Sequence, residues 1–373
     1  MNAKSFVSGG RLSRLSLWKK TAVQRKPWSF DLEITARCNN NCRHCYINLP
    51  ANDPDAARNE LSATEIAELA DQAVALDALW CLITGGEPLL REDFPEIYIS
   101  LKKKGLLISV FTNAALITPD HVALFKKFPP RDIEVTVYGT TQETYERVTG
   151  KPGSFAAFRQ GLDLLLVNDI PVHLKAMAVR SNVHELPEIA AFCRRHTRDF
   201  FRFDPVLHLR YDGNTERNSE IISERLTPEE IAGIETSDEE RSETLKKHCD
   251  KFIFSEPSNS DCRHLFRCGV GNKSFTISPN GFFHLCPSLR HPECIRDLKT
   301  TSLVDAWENF VPEIRAKTSS DPVFLEKCRS CPIINLCLWC PAHAHLETGQ
   351  LDGWSEYFCQ VAHARRDAIE ESK

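Results

Sequence analysis

Between residues 28 and 207 short apolar runs alternate with longer stretches in which apolar side chains return every three or four positions. That alternation predicts βα units around a parallel sheet. Six runs, at 30–35, 80–84, 107–112, 133–137, 172–179 and 200–206, are apolar and partly β-branched, as strands buried on both faces should be. Five of the connections contain helical patterns. Ser62 with Glu65 forms a capping box ahead of Ile66, Leu69, Ala70, Ala73 and Val74; Pro119, the Gly153-Ser154-Phe155 stretch and Pro187 mark later helix starts. The fold class is α/β, a partial (β/α)6 barrel whose functional residues sit at strand ends and whose open side admits a large substrate.

The pattern then changes. Residues 208–255 are acidic and rich in Ser and Asn, with one helix over 227–235, and read as a bridging segment. Residues 256–373 show little periodicity, and ten cysteines fall between Cys249 and Cys359. A small unit of that kind is expected to be held by metal rather than by a hydrophobic core. At the other end, residues 1–27 hold seven basic side chains and no acid. This stretch reads as a basic N-terminal arm, with a transit peptide as the alternative.

Composition narrows the function classes. A net charge of -5 and the lack of any run of 18 apolar residues point to neither nucleic acid nor membrane as a partner. Fifteen cysteines without an apolar secretion signal point to a cytoplasmic protein whose thiols are metal ligands rather than disulfides.

Cys38, Cys42 and Cys45 follow the first strand in a C-x3-C-x2-C spacing. Three thiolates leave one iron of a [4Fe-4S] cluster open for a small molecule, whereas zinc, the alternative, prefers a fourth protein ligand. The end of the second strand reads Thr84-Gly85-Gly86-Glu87-Pro88. Its glycines let backbone approach a ligand closely, and an exposed backbone edge with Glu87 nearby can hold an ammonium group. The two elements together resemble the signature of the radical S-adenosylmethionine (SAM) superfamily, in which SAM chelates the open iron and the GGEP element binds its amino group. His44 stands where the superfamily usually has an aromatic residue. The resemblance adds Asn113 and Tyr138 at strand ends as SAM contacts, and Arg147 as a partner for the SAM carboxylate.

Toward the C-terminus Cys262, Cys268, Gly281 and Cys286 precede Cys328, Cys331, Cys337, Cys340 and Cys359, with a hairpin turn expected at Gly281. Paired zinc ribbons are the alternative reading. The array resembles the SPASM domain of peptide-modifying radical SAM enzymes, which binds two auxiliary [4Fe-4S] clusters. By that resemblance Cys262, Cys268, Cys286 and Cys340 hold one cluster and Cys328, Cys331, Cys337 and Cys359 the other. The spacing from Cys337 to Cys340 is one residue shorter than the usual pattern. Cys81 reads as a core residue of the second strand, and Cys193, Cys249 and Cys294 fall outside every pattern.

The resemblance implies an enzyme with three [4Fe-4S] clusters and SAM that abstracts hydrogen from a ribosomal precursor peptide or protein to install a crosslink or oxidation. A flavodoxin or ferredoxin would donate the electron. Alternatives are an anaerobic sulfatase-type formylglycine-generating enzyme and a small-molecule enzyme of the tetrapyrrole branch. The first usually carries an Asp beside the cysteine matching Cys286, where this chain has Pro287 and Ser288. No catalytic acid or base is identified by the spacing. Peptide maturases of this family often begin with a winged-helix domain that pairs a strand with the leader peptide. The 27 residues ahead of the first strand are too few for one, so delivery by a separate small recognition protein, or by the basic arm, is expected.

Overall fold

The computed structural model describes residues 25–197, 201–252 and 263–371, apart from 267, 269, 335 and 338. Strand β1 (Ser29–Thr35) alternates: Phe30, Leu32 and Ile34 lie under the helices, while Asp31 and Glu33 face the concave side. β2 (Trp80–Gly85), β3 (Leu107–Thr112), β4 (Asp132–Val137), β5 (Val172–Met177) and β6 (Arg202–Asp204) follow in order, each parallel to the last. The run expected to extend from 172 to 179 pairs only to Met177. The sixth stops at Asp204 because Pro205 has no N–H to give the ladder.

Helices cover the convex side. In α1 (Ala63–Ala75), Ser62 accepts from the Glu65 N–H at 3.2 Å while Glu65 accepts from the Ser62 N–H at 2.8 Å. α2 (Phe94–Lys103) and α3 (Pro119–Lys127) return the chain to β3 and β4. One crossover holds two helices, α4 (Gln142–Thr149) and α5 (Ser154–Val167), before α6 (Leu186–His196) leads to β6. Cys81 and Cys193 are wholly buried in this apolar layer.

The second half is not a separate bead. β7 (Ser274–Ile277) pairs in parallel with the free edge of β1, placing Thr276 beside Asp31. β8 (Phe282–His284) and β9 (Ile295–Asp297) add antiparallel strands, giving one nine-stranded sheet in the order β9-β8-β7-β1-β2-β3-β4-β5-β6. Gly281 makes the expected hairpin turn at φ 87°. Phe275 stacks on Phe30 at 5.4 Å and meets Phe283 and the fully buried Trp307. This corrects the expectation that metal stands in for a core in residues 256–373. Phe275, Phe283, Trp307, Phe310 and Ile314 join the barrel's own apolar cluster, and Cys294 is buried among them. Alternation over four- and three-residue strands is too short to stand out in the sequence.

The described part of the segment read as a bridge is helical: α7 (Thr215–Glu224), α8 (Pro228–Ser237) and α9 (Glu239–Phe252). α10 (Pro341–Thr348) and α11 (Glu356–Glu371) close the fold. α8 is locked to α11 by Arg365 and Glu235, both buried, with nitrogen–oxygen distances of 2.7 and 2.8 Å. No helix among the described residues is long and apolar enough to cross a membrane.

Because β1 serves both halves, Phe275→Ala should lower stability by about 3–5 kcal/mol and shift one unfolding transition rather than split it. Thermal denaturation followed by circular dichroism reads this, and two separate transitions would show that the shared sheet does not couple the halves.

Candidate functional site

β1 delivers the chain into the loop that carries Cys38, Cys42 and Cys45. The N–H groups of Asn41 and Arg43 donate to the carbonyls of Thr149 (2.9 Å) and Val148 (3.2 Å), so the loop satisfies the open C-terminal end of α4. Arg217 donates to the Cys42 carbonyl at 2.9 Å. Arg210, almost fully buried, reaches the carbonyls of Cys45 and Asn48. Sequence reasoning missed both arginines. They lie in the acidic stretch read as a bridge, and no spacing links them to a loop some 165 residues earlier.

The three thiols stand close enough that charge on one disfavours charge on the others. Burial, then Glu87, push the Cys38 thiol up to about 12, opposed by the Asn40 N–H and the Asn113 amide. Burial raises Cys42 well above its ordinary value, and the Tyr138 hydroxyl offsets part of that. Such thiols are held neutral until a strong positive charge arrives among them, which is the condition a metal cluster supplies.

The Gly85-Gly86-Glu87-Pro88 turn lies against the start of this loop. Gly86 and Glu87 donate their N–H groups to the carbonyls of Thr35 (2.7 Å) and Arg37 (2.9 Å). A Cβ on Gly85 would stand 2.1 Å from the Thr35 oxygen, and one on Gly86 2.2 Å from the Arg37 oxygen. The fold itself therefore requires both glycines. Glu87 is enclosed at the same turn. It is 0 % exposed, and its oxygens accept from the Leu89 N–H (3.1 Å), the Thr112 hydroxyl (2.7 Å) and the Asn113 N–H (2.8 Å). Burial raises its pKa to about 7 despite those three donors. Glu87 knits the end of β2 to the end of β3 and has no oxygen turned outward to an ammonium group. Pro88 begins the buried 3-10 turn that follows.

Asn113 and Tyr138 do reach the cysteine loop. The Asn113 amide donates to Asn39 at 2.8 Å and lies 3.8 Å from the Cys38 sulfur, and the Tyr138 ring packs on His44 at 5.2 Å. Arg147 does not. Its guanidinium pairs with Glu143 one turn away on the outer face of α4, half exposed, because the helix presents positions 143 and 147 together to solvent.

The other cysteines assemble in two places. Burial raises the Cys340 thiol to about 12, and charge on Cys286 and Cys268 adds to this. Burial likewise raises Cys337 to about 12, with Cys359, Cys328 and Cys331 adding to it. Those last four line one small cavity with Trp339 and Trp354. Cys262 lies outside the described residues, as does the Cys249 side chain. Among the described residues no three His, Cys, Asp or Glu side chains converge tightly enough to hold one metal ion. Thiols spread around a cavity suit a multi-iron cluster, whose ligands bind separate irons.

Residues 32–193 match the family model of the Radical SAM superfamily, and residues 268–332 match SPASM, an iron-sulfur cluster-binding domain. The chain carries a radical SAM domain joined to a SPASM domain. It is 26% identical to mycofactocin maturase MftC of Mycobacterium ulcerans over 360 residues, covering 91% of this chain and 92% of the relative. Over 165 residues, 44% of this chain, it is 28% identical to an AdoMet-dependent heme synthase of Methanosarcina barkeri and spans only 46% of that protein. Streptococcus suis SuiB bound to precursor peptide SuiA superposes with a TM-score of 0.64 at 16% identity, over 96% of this chain and 83% of SuiB, a likeness of fold. The radical SAM match runs from within β1 to the end of β5 and into α6, and the SPASM match holds the strands β7 to β9 that extend the sheet.

Gly85 stands at φ 130° with a carbonyl where a Cβ would go. Gly85→Ala should cost on the order of 3 kcal/mol or more, whereas Gly105→Ala, at φ 85° in open space, should cost about 1 kcal/mol. Anaerobic denaturant titration compares them, and equal losses would mean that the packing against Thr35 does not matter.

Proposed function

We propose that this chain is a cytoplasmic radical SAM maturase that modifies a ribosomal precursor peptide or protein. The carrying observation is the sorting of ten of the described cysteines into three groups, most of them partly buried: Cys38, Cys42 and Cys45 at the barrel mouth; Cys268, Cys286 and Cys340; and Cys328, Cys331, Cys337 and Cys359. We assign a [4Fe-4S] cluster to each, with Cys262 completing the second. A cluster with three protein ligands and SAM on its open iron supplies, when bound, the one-electron cleavage of SAM that starts radical chemistry.

The chain's own residues hold and shield that chemistry. Arg210 and Arg217 fix the loop carbonyls, while Asn113 and Tyr138 offer donors to the first two thiols. In this role Glu87 positions Asn113 rather than touching SAM. Groups two and three have enough thiols for full ligation, which suits electron transfer better than substrate binding. What favours a peptide substrate is the likeness to a PqqA peptide cyclase of Xanthomonas euvesicatoria over 83% of this chain, together with the full-length likeness to the maturase MftC. A second reading, a tetrapyrrole substrate, draws on likeness to the Fe-coproporphyrin III synthase of Methanosarcina barkeri, 25% identical over 82% of this chain, and to the heme synthase over less than half of it.

About 12 iron atoms per chain are expected after anaerobic reconstitution, four for each cluster. Replacing Cys38, Cys42 and Cys45 together with Ala should lower this to about 8 and abolish release of 5′-deoxyadenosine from SAM. Continued release by the triple variant overturns the assignment. Mass spectrometry separates the readings: a peptide encoded beside this gene should lose hydrogen on incubation with SAM and reductant, and an iron coproporphyrin should not.

A further inference from the structure

The concave face of the barrel is lined by charged side chains, and nearly all of them pair within the chain. Glu33 holds Arg290 through two contacts of 2.7 Å. Glu134 takes Lys175 at 3.0 Å and Arg202 at 3.3 Å, and Asp132 takes Arg131 at 3.4 Å. Asp31 differs. It lies two residues before Glu33 on the same face of β1, half-buried, in the wall of a cavity of about 310 Å³ shared with Trp80, Leu82, Phe111 and Glu134. From Asp31 to Thr35, where the strand meets the Gly85 turn, the rise is about 13 Å, so the cavity occupies the end of the lumen away from the cysteine loop.

The groups acting on the Asp31 carboxyl are Glu33 on its own strand, Glu134 from β4 and the Thr276 hydroxyl from β7. No cation is among them. Burial, then the two neighbouring carboxylates, raise its pKa to about 6. Arg131 also lines the cavity but pairs with Asp132, so among the described residues the Asp31 carboxylate has no ion pair of its own, an arrangement unfavourable for the fold and ready for a cation from outside.

The same cavity shows what such a partner would meet. Lys175 rests its ammonium 3.4 Å from the centroid of the Phe111 ring while pairing with Glu134, an aromatic face and a carboxylate gripping one cation. Trp80 and Asp31 offer an aromatic ring and a carboxylate on the cavity's other wall. We infer that this lower lumen is the pocket for a cationic side chain of the substrate, a lysine or arginine of the peptide, with Asp31 as its counter-ion. The inference rests on the peptide reading above and names which kind of residue enters the barrel.

Benzamidine, a flat aromatic cation, serves as the probe, with neutral benzamide and anionic benzoate as controls, in calorimetric titrations of the reconstituted protein. Benzamidine should bind at pH 8, at least fivefold more weakly at pH 5, and at least fivefold more weakly to Asp31→Asn at pH 8; Asp163→Asn, on the outer face of α5, should bind as the unaltered protein does. Benzoate binding as tightly as benzamidine, or benzamidine binding unaffected by Asp31→Asn, overturns the pocket. A folding check accompanies this. The folded pKa of about 6 lies above the ordinary carboxyl value of 3.8, so the charged form weakens the fold as pH rises through that interval and above it. Asp31→Asn should therefore melt no lower than the unaltered protein at pH 8, and a lower melting temperature would make the carboxyl structural. Probe binding and release of 5′-deoxyadenosine are separate measurements, so failure of this pocket and failure of the proposed function are told apart.

Discussion

Both edges of β1 are hydrogen-bonded, one to β2 and the other to β7, and the remaining architecture hangs on that double pairing. A parallel strand in mid-sheet needs apolar cover on at least one face, which Phe30, Leu32 and Ile34 find under the helices. The other face is left to Asp31 and Glu33, so the strand that joins the two domains also lines the lumen. Its last residue, Thr35, receives the Gly86 N–H, and the cysteine loop starts three residues on. Thiols, lumen and domain seam are thus registered by one short strand.

Around that strand the protein trades solvation for fixed partners. Arg290 leaves the Cys286 loop to meet Glu33, with Tyr211 under its guanidinium at 4.6 Å and His284 at 3.1 Å. Removing either member of such a buried pair strands the other charge, a loss of about 3–5 kcal/mol. Arg365 and Glu235 repeat the arrangement where the last helix meets α8. These bridges do more to fix geometry than to add net stability, since burying them already cost hydration.

What the sequence disclosed depended on range. The strands of the barrel, the Ser62 capping box and the Gly281 hairpin are encoded within a few residues of one another, and each lies where its pattern puts it apart from the shorter fifth and sixth strands. The cysteine spacings are as local. The pairing of β7 with β1 joins residues about 245 apart and leaves no periodic trace, so the second domain looked poorer in core than it is. The surroundings of Glu87 and Arg147 were illegible for a related reason. A motif identifies a residue, but only the neighbouring strand shows that the oxygens of Glu87 are already taken, and only the helix face shows that Arg147 turns outward.

The seam between the domains has one more property. It is a ladder of main-chain amides and carbonyls, with Ser29 opposite Ser274 and Leu32 opposite Ile277, and such a ladder does not read side-chain identity. Residues on either strand are free to drift as long as the pleat keeps apolar groups under the helices. Such a joint tolerates exchange of most amino acids, and the likeness of fold to SuiB, a TM-score of 0.64 at 16% identity, fits that tolerance. Divergence of sequence and constancy of frame are compatible because the joint is written in backbone.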